Sequence, residues 1–157
     1  MGQYVKLNLH SKDFHDFLLN LKRAYSREEL EQIMQSKPLS KKDVDLILER
    51  NIRYVTFEDN GADGIIRGRY YDLKNNDFVY DVAFKEISSL DEYAITGVHE
   101  FLHIFYKFTS YFLDEKSDKI ADELIENEAV LIFNERPGLA KYIFNSCLFR
   151  AVEPDVY

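Results

Sequence analysis

The chain has 157 residues, which is enough for one domain with its own hydrophobic core. Its net charge of −8 and the absence of a basic cluster in the sequence argue against a nucleic acid as the partner. A single cysteine excludes an intrachain disulfide framework, and no apolar run approaches the length of a transmembrane helix. We therefore expect a single domain over residues 1–157, located in the cytoplasm, with no nucleic-acid or membrane partner.

The region 1–50 carries the patterns of amphipathic helices. Two such segments contain Phe17 and Ile33, with apolar residues at helical spacing. A third is predicted to start at Ser40, because Ser40 and Asp43 have the spacing of a capping box. The N-terminal third of the chain is therefore expected to be helical.

Short segments typical of β-strands follow between residues 52 and 84. Arg53–Phe57 and Ile65–Asp72 are separated by a glycine-containing loop, and Phe78–Phe84 alternates in the way of a strand with one face on a core. Together they predict a small sheet of about three strands. An exposed edge of such a sheet could bind an extended peptide by strand addition.

The helix predicted after the sheet contains the sequence His-Glu-x-x-His, at His99, Glu100 and His103. A capping box at Ser89 marks its start, and its apolar pattern predicts an end near Leu113. Residues four apart lie on the same face of a helix, so the two histidines can direct their imidazoles at one point. The rest of this helix is apolar, so its polar stripe is expected to face a cleft.

This spacing is typical of a hydrolytic zinc site. His99 and His103 would bind Zn²⁺ and leave an open coordination position. Glu100 lies about 100° further round the helix, where its carboxylate can accept a proton from the attacking water rather than act as a ligand.

The third protein ligand is expected to be a carboxylate, because no histidine follows His103. The next helix, which is predicted to run through about Asn134 and to be stopped by Pro137-Gly138, has an apolar stripe with Glu128 in its middle. An unpaired buried carboxylate costs several kcal/mol, which favours a metal-binding role for Glu128. Glu126 points about 200° away from Glu128 and is more simply explained as a solvated residue. A last helix is predicted from Leu139 to about Phe149.

The segment His99-Glu100-Phe101-Leu102-His103, followed by Asn127-Glu128-Ala129 on the next helix, resembles the gluzincin metallopeptidases. In size and layout the chain is similar to the small soluble members called minigluzincins, over about Ile52 to Phe149. The resemblance implies an α+β, zincin-like domain with a short sheet, an active-site helix, a glutamate helix and additional N- and C-terminal helices.

The same resemblance implies that His99, His103 and Glu128 bind zinc and that Glu100 is the general base and acid of peptide hydrolysis. A competing alignment through Glu126-x-x-Ala129 resembles the regulatory metallopeptidases of phage and stress systems, and it would make Glu126 the ligand. For the residue that stabilises the oxyanion, Tyr142 is a candidate by residue type alone.

The expected function is therefore that of a zinc metalloendopeptidase acting on a peptide or protein substrate. Two alternatives stay open: a regulatory protease specific for one partner protein, and a zinc-stabilised interaction module without activity. Cleavage of unstructured peptides would favour the general peptidase, whereas zinc binding without turnover would favour the module.

Overall fold

The structure is a computed structural model that describes residues 4–8, 10–58, 64–85 and 89–151. Within these ranges the chain forms six α-helices and one sheet, which confirms the predicted α+β class. In chain order the elements are β1 (Tyr4–Lys6), α1 (Lys12–Leu21), α2 (Arg27–Ser36), α3 (Lys41–Arg50), β2 (Ile52–Phe57), β3 (Gly64–Asp72), β4 (Asp77–Phe84), α4 (Leu90–Tyr106), α5 (Glu115–Glu135) and α6 (Pro137–Arg150).

The sheet is mixed and has the strand order β1-β3-β4-β2. β3 pairs antiparallel with β1 and with β4, whereas β2 pairs parallel with β4. The three predicted strands are confirmed as β2, β3 and β4, and each begins one residue before its predicted start. The fourth strand, β1, was not predicted, because its three residues are too few to show an alternating pattern.

The core lies between the sheet and α4. Every second residue of β4 from Phe78 to Phe84 belongs to the same buried cluster as Val98, Phe101 and Leu102 of α4. Nine residues of α4 are buried, including the two polar residues Glu100 and His103. The prediction that this helix is central and mostly buried is therefore confirmed.

The start of α4 is confirmed, but its predicted end is wrong. Ser89 is the N-cap, and its side chain accepts a hydrogen bond from the first turn. The helix ends at Tyr106 rather than near Leu113, because Lys107 adopts a left-handed conformation with φ of 59°. The apolar pattern misled the prediction because Phe108 is buried although it lies in the loop after the helix.

The remaining helices follow the sequence closely. The predicted capping box at Ser40 is present at the start of α3. α6 begins at Pro137, two residues before its predicted start, because a proline fits the first turn of a helix.

Cys147 is buried in α6, and burial raises the pKa of its thiol to about 12. None of the described helices combines the length and the apolar character needed to cross a membrane.

Candidate metal centre

Side chains of α4 and α5 converge on one point. The Nε2 atoms of His99 and His103 are 3.0 Å apart, and each lies 3.1 Å from Oδ1 of Asp122 on α5. Among the described residues, these three side chains form the group whose metal-binding atoms come together. The spacing of the two histidines therefore brings their imidazoles together as the sequence predicts, and Asp122 is the carboxylate that meets them.

The hydrogen bonds on the far side of each imidazole determine which nitrogen faces this point. Nδ1 of His103 lies 2.5 Å from the carbonyl oxygen of Phe108, and Nδ1 of His99 lies 2.7 Å from Oε2 of Glu126. A carbonyl or a carboxylate oxygen only accepts, so each Nδ1 carries the hydrogen and donates it. In their neutral forms both histidines then direct the lone pair of Nε2 towards Asp122.

This donor set fits a zinc ion. Two imidazole nitrogens and one carboxylate oxygen are common zinc ligands, and their separations of 3.0–3.1 Å approach the value of about 3.3 Å expected for tetrahedral bonds of about 2.05 Å. Hydrogen bonds that hold the outer nitrogens of ligand histidines are also typical of metal sites. Without a cation, the three inward-facing atoms would be acceptors only, and a proton would have to relieve their repulsion.

The pKa values of this group agree with that description. Burial by itself would lower the pKa of His103, but its hydrogen bond to Asp122 and the charge of Glu100 outweigh burial, so the pKa is raised. The same hydrogen bond lowers the pKa of Asp122. In the metal-free group, both shifts favour the charged pair, with the proton on His103 and the negative charge on Asp122.

Glu100 lies beside the group but is not one of its members. Its side chain is buried, and burial raises the pKa of its carboxyl although His103 and His99 act in the opposite direction. The carboxylate lies against Gly64 of β3, where an added Cβ would be only 2.9 Å from Oε1 of Glu100. A larger residue at position 64 would therefore displace the side chain of Glu100 from its present position.

The group opens into a cleft, as the polar stripe of α4 predicts. A cavity of about 490 Å³ is bounded by the motif residues of α4, by Gly64–Ile66 of β3, by the loop after α4 and by α5. A second cavity of about 210 Å³ meets the first at Gly64, His99 and Glu100, and Glu126 lies in its wall. Glu100 therefore lines both cavities.

Glu128, the third ligand predicted from the sequence, is not brought into the group of His99, His103 and Asp122. It is half-buried on α5, and its charge adds to the effect of burial in raising the pKa of Tyr106 to about 12. The arrangement in the structure therefore differs from the predicted ligand set.

Asp122 rather than Glu128 meets the histidines because of how α5 packs. The buried face of α5 consists of Ser117, Ala121, Ile125, Ala129 and Ile132. The sequence places Glu128 in the middle of the apolar stripe, but in the structure Glu128 is only half-buried, and the histidines contact α5 at Asp122 and Glu126. The signal that could have identified this side of α5 is the spacing of Asp118, Asp122 and Glu126, three acidic residues that follow each other at intervals of four.

The tyrosine that lines the cleft is not the one that the sequence suggested. Tyr142 donates a hydrogen bond to Asp45 on α3 and is not among the residues that line the cavity. Tyr111, in the loop after α4, does line the cavity, and its hydroxyl accepts a hydrogen bond of 2.8 Å from the backbone N–H of Gly68. Sequence reasoning missed Tyr111 because nothing in the sequence shows where this loop lies.

Comparisons with protein-family models, with curated proteins and with solved structures found no match for this chain. Any functional assignment therefore depends on the residues of the cleft themselves.

The ligand set can be tested by substitution. His99→Ala, His103→Ala and Asp122→Ala should each lower zinc affinity by more than about 100-fold, because each removes a ligand. Glu126→Gln weakens only the support of His99 and should cost roughly 10–100-fold. Glu128→Ala is the matched control on the same helix and should leave zinc affinity unchanged. Zinc competition titrations measure all five variants, and loss of zinc in Glu128→Ala but not in Asp122→Ala would contradict this ligand set.

Zinc affinity should also depend on pH. Zinc requires the neutral imidazole, and the pKa of His103 is raised above its usual 6.5. As the pH falls through that raised pKa, zinc has to displace a bound proton, so its affinity should fall by up to about tenfold per pH unit. Titrations at pH 8 and pH 6 measure this slope. The exposed His15 lies outside the site, so His15→Asn should show the same slope as the natural protein; a flat profile would show that no proton is displaced.

Proposed function

We propose that this protein is a zinc-dependent metallopeptidase with a zincin-like active site. His99, His103 and Asp122 would hold the metal, and Glu100 would act as general base and general acid. The observation that carries the proposal is the convergence of two Nε2 atoms and one Oδ1 atom beside a buried carboxylate in an open cleft. The resemblance of the His-Glu-x-x-His motif to that of the gluzincins supports the same function.

Glu100 has the properties that a general base and acid requires. A zinc ion held by His99, His103 and Asp122 would supply Lewis-acid chemistry, which polarises a carbonyl and lowers the pKa of a water molecule. Burial raises the pKa of the Glu100 carboxyl, which makes the carboxylate a better proton acceptor and moves it towards the range used in catalysis at neutral pH. Glu100 would accept a proton from the attacking water and pass it to the leaving amine.

The edge of β3 offers a place for a peptide chain. Within the described parts of the chain, β1 pairs with β3 at residues 70–72 and ends at Lys6. Gly64–Ile66 precede that paired region and line the cavity beside Glu100. An extended peptide that adds to this edge of β3 would pass directly beside the proposed catalytic carboxylate. This arrangement favours a peptide over a small molecule as the substrate.

Tyr111 replaces Tyr142 as the candidate for stabilising the oxyanion. The hydroxyl oxygen of Tyr111 accepts from the N–H of Gly68, and its own hydrogen has no acceptor among the described residues. The ring is fixed by stacking on Phe78, with 4.7 Å between the ring centroids. A hydroxyl held in this way can donate to a carbonyl oxygen in the cleft at little cost in reorganisation.

A regulatory protease that cleaves one partner protein stays the second candidate. The alignment behind this alternative makes Glu126 the third ligand, whereas Glu126 contacts Nδ1 of His99, which faces away from Asp122. A general peptidase would cleave many unstructured peptides, whereas the regulatory enzyme would cleave only one protein.

The proposed function is tested with Glu100→Gln. The amide cannot accept the proton, so peptide cleavage should fall by about 10²–10⁴-fold while zinc stays bound. Cleavage of an unstructured peptide is measured by mass spectrometry, and zinc content is measured on the same samples. Zinc binding without cleavage in the natural protein would favour the interaction module, and loss of zinc in Glu100→Gln would show that Glu100 is a ligand.

Tyr111→Phe tests the role of the hydroxyl. The ring and its stacking on Phe78 are retained, so kcat should fall by about 10²-fold with little change in KM or zinc content. Tyr142→Phe removes a hydroxyl outside the cavity and is the matched control, with unchanged kcat. A purely structural role for the Tyr111 hydroxyl predicts reduced thermal stability with kcat unchanged.

A further inference from the structure

Asp118 occupies a distinct position in the larger cavity. It lies four residues before Asp122 on α5, which is one turn along the same face and a rise of about 6 Å. An extended peptide advances about 3.3 Å per residue. For a peptide that runs through this cavity along α5, a side chain about two residues from the scissile bond would lie level with the carboxylate of Asp118.

This carboxylate is half-buried, and burial raises its pKa, while the positive charges of His103 and Lys22 lower that pKa from a distance, without direct contact. Among the described residues, Asp118 makes no side-chain hydrogen bond and no ion pair. Lys119 is the neighbouring cation in the wall of the cavity, but its Nζ lies 3.8 Å from Glu115 Oε1. A carboxylate that is partly removed from water and lacks a partner is one that a cationic ligand would stabilise.

The other residues of the cavity specify the shape of that ligand. Ile65 and Ile66 of β3 contribute apolar surface to the same cavity. Lysine and arginine combine an apolar stem with a charged end, so they match an apolar wall followed by a carboxylate. An acidic side chain would instead meet Asp118 as a like charge.

We propose that Asp118, with Ile65 and Ile66, forms a subsite for a lysine or arginine side chain of the substrate, about two residues from the scissile bond. The inference rests on the proposed peptidase function, and it specifies that the substrate carries a positive charge near the scissile bond. The net charge of −8 also favours the approach of a cationic peptide over that of an anionic one. Asp118 also lies in the first turn of α5, where the helix dipole stabilises its negative charge.

The first experiment uses the zinc-loaded protein and a randomised peptide pool, with cleavage sites read by mass spectrometry. Lysine and arginine should be enriched within about two residues of the cleaved bond. Matched peptides with Lys, Gln or Glu at that position should then differ in kcat/KM by about tenfold between Lys and Gln, as expected for a hydrogen bond to a charged group.

Substitutions assign the preference to Asp118. Asp118→Asn should abolish the tenfold preference, and Asp118→Lys should reverse it in favour of the Glu peptide. Glu135→Gln, at the exposed end of α5, changes the net charge equally and should retain the preference for Lys. Equal cleavage of the three peptides by the natural protein, or an unchanged preference in Asp118→Asn, would overturn the subsite while leaving the peptidase function intact.

A binding measurement separates this inference from the proposed function. Zinc-loaded Glu100→Gln should bind the Lys peptide about tenfold more tightly than the Glu peptide, and the added Asp118→Asn substitution should remove the difference. Fluorescence anisotropy measures both affinities without turnover. If the natural protein cleaves no peptide but this binding preference is present, the subsite stands and the peptidase function fails. Equal binding of the two peptides overturns the subsite.

Discussion

The backbone of Phe108 holds His103 from both sides. Its N–H donates to the carbonyl of His103 at 2.9 Å, and its own carbonyl accepts from Nδ1 of the same residue. Both contacts depend on the left-handed conformation of Lys107, which turns the chain back on the end of α4. The second histidine of the motif is therefore oriented by the end of its own helix.

The same turn places the loop that follows. The backbone of Arg23 pairs with Phe112 and Asp114 on either side of Leu113, and Asp114 is the N-cap of α5. These contacts fix both ends of the segment that carries Tyr111, and they set the point from which α5 runs back along α4. The position of this loop in the cleft thus depends on the backbone hydrogen bonds of Phe108 at one end and of Phe112 and Asp114 at the other.

The acidic residues around the cleft make the metal-free protein electrostatically unfavourable. Glu100, Asp122 and Glu126 all lie close to the two histidines, and Glu100 is buried. Burial raises the pKa of Glu100, and the negative charges of Asp122 and Glu126 add to this effect, so they disfavour its ionised form. A cation that binds the folded state alone would relieve this repulsion and would stabilise the protein in proportion to the logarithm of its concentration. In this arrangement a metal would join α4 to α5 as well as supply chemistry.

Local sequence patterns predicted those parts of the site that lie on a single element. His99 and His103 are separated by one helical turn, so their convergence needs no information about the rest of the fold. The choice between Asp122 and Glu128 depends instead on the side from which α4 approaches α5. That side is decided by packing of the two apolar faces, since a wheel shows which residues are buried but not which flank meets a neighbour. The end of α4 at Lys107 was missed for a related reason, because a buried loop continues the apolar pattern of the helix.

The burial of Cys147 has a practical consequence for following events in the cleft. Its thiol is enclosed in the core, and a pKa of about 12 leaves almost none of it as the reactive thiolate at neutral pH. It is also the chain's single cysteine. A cysteine introduced on the rim of the cleft would thus be the one site open to maleimide dyes or spin labels. Labels attached there would report on peptide docking against a silent background, with no need to remove the natural thiol.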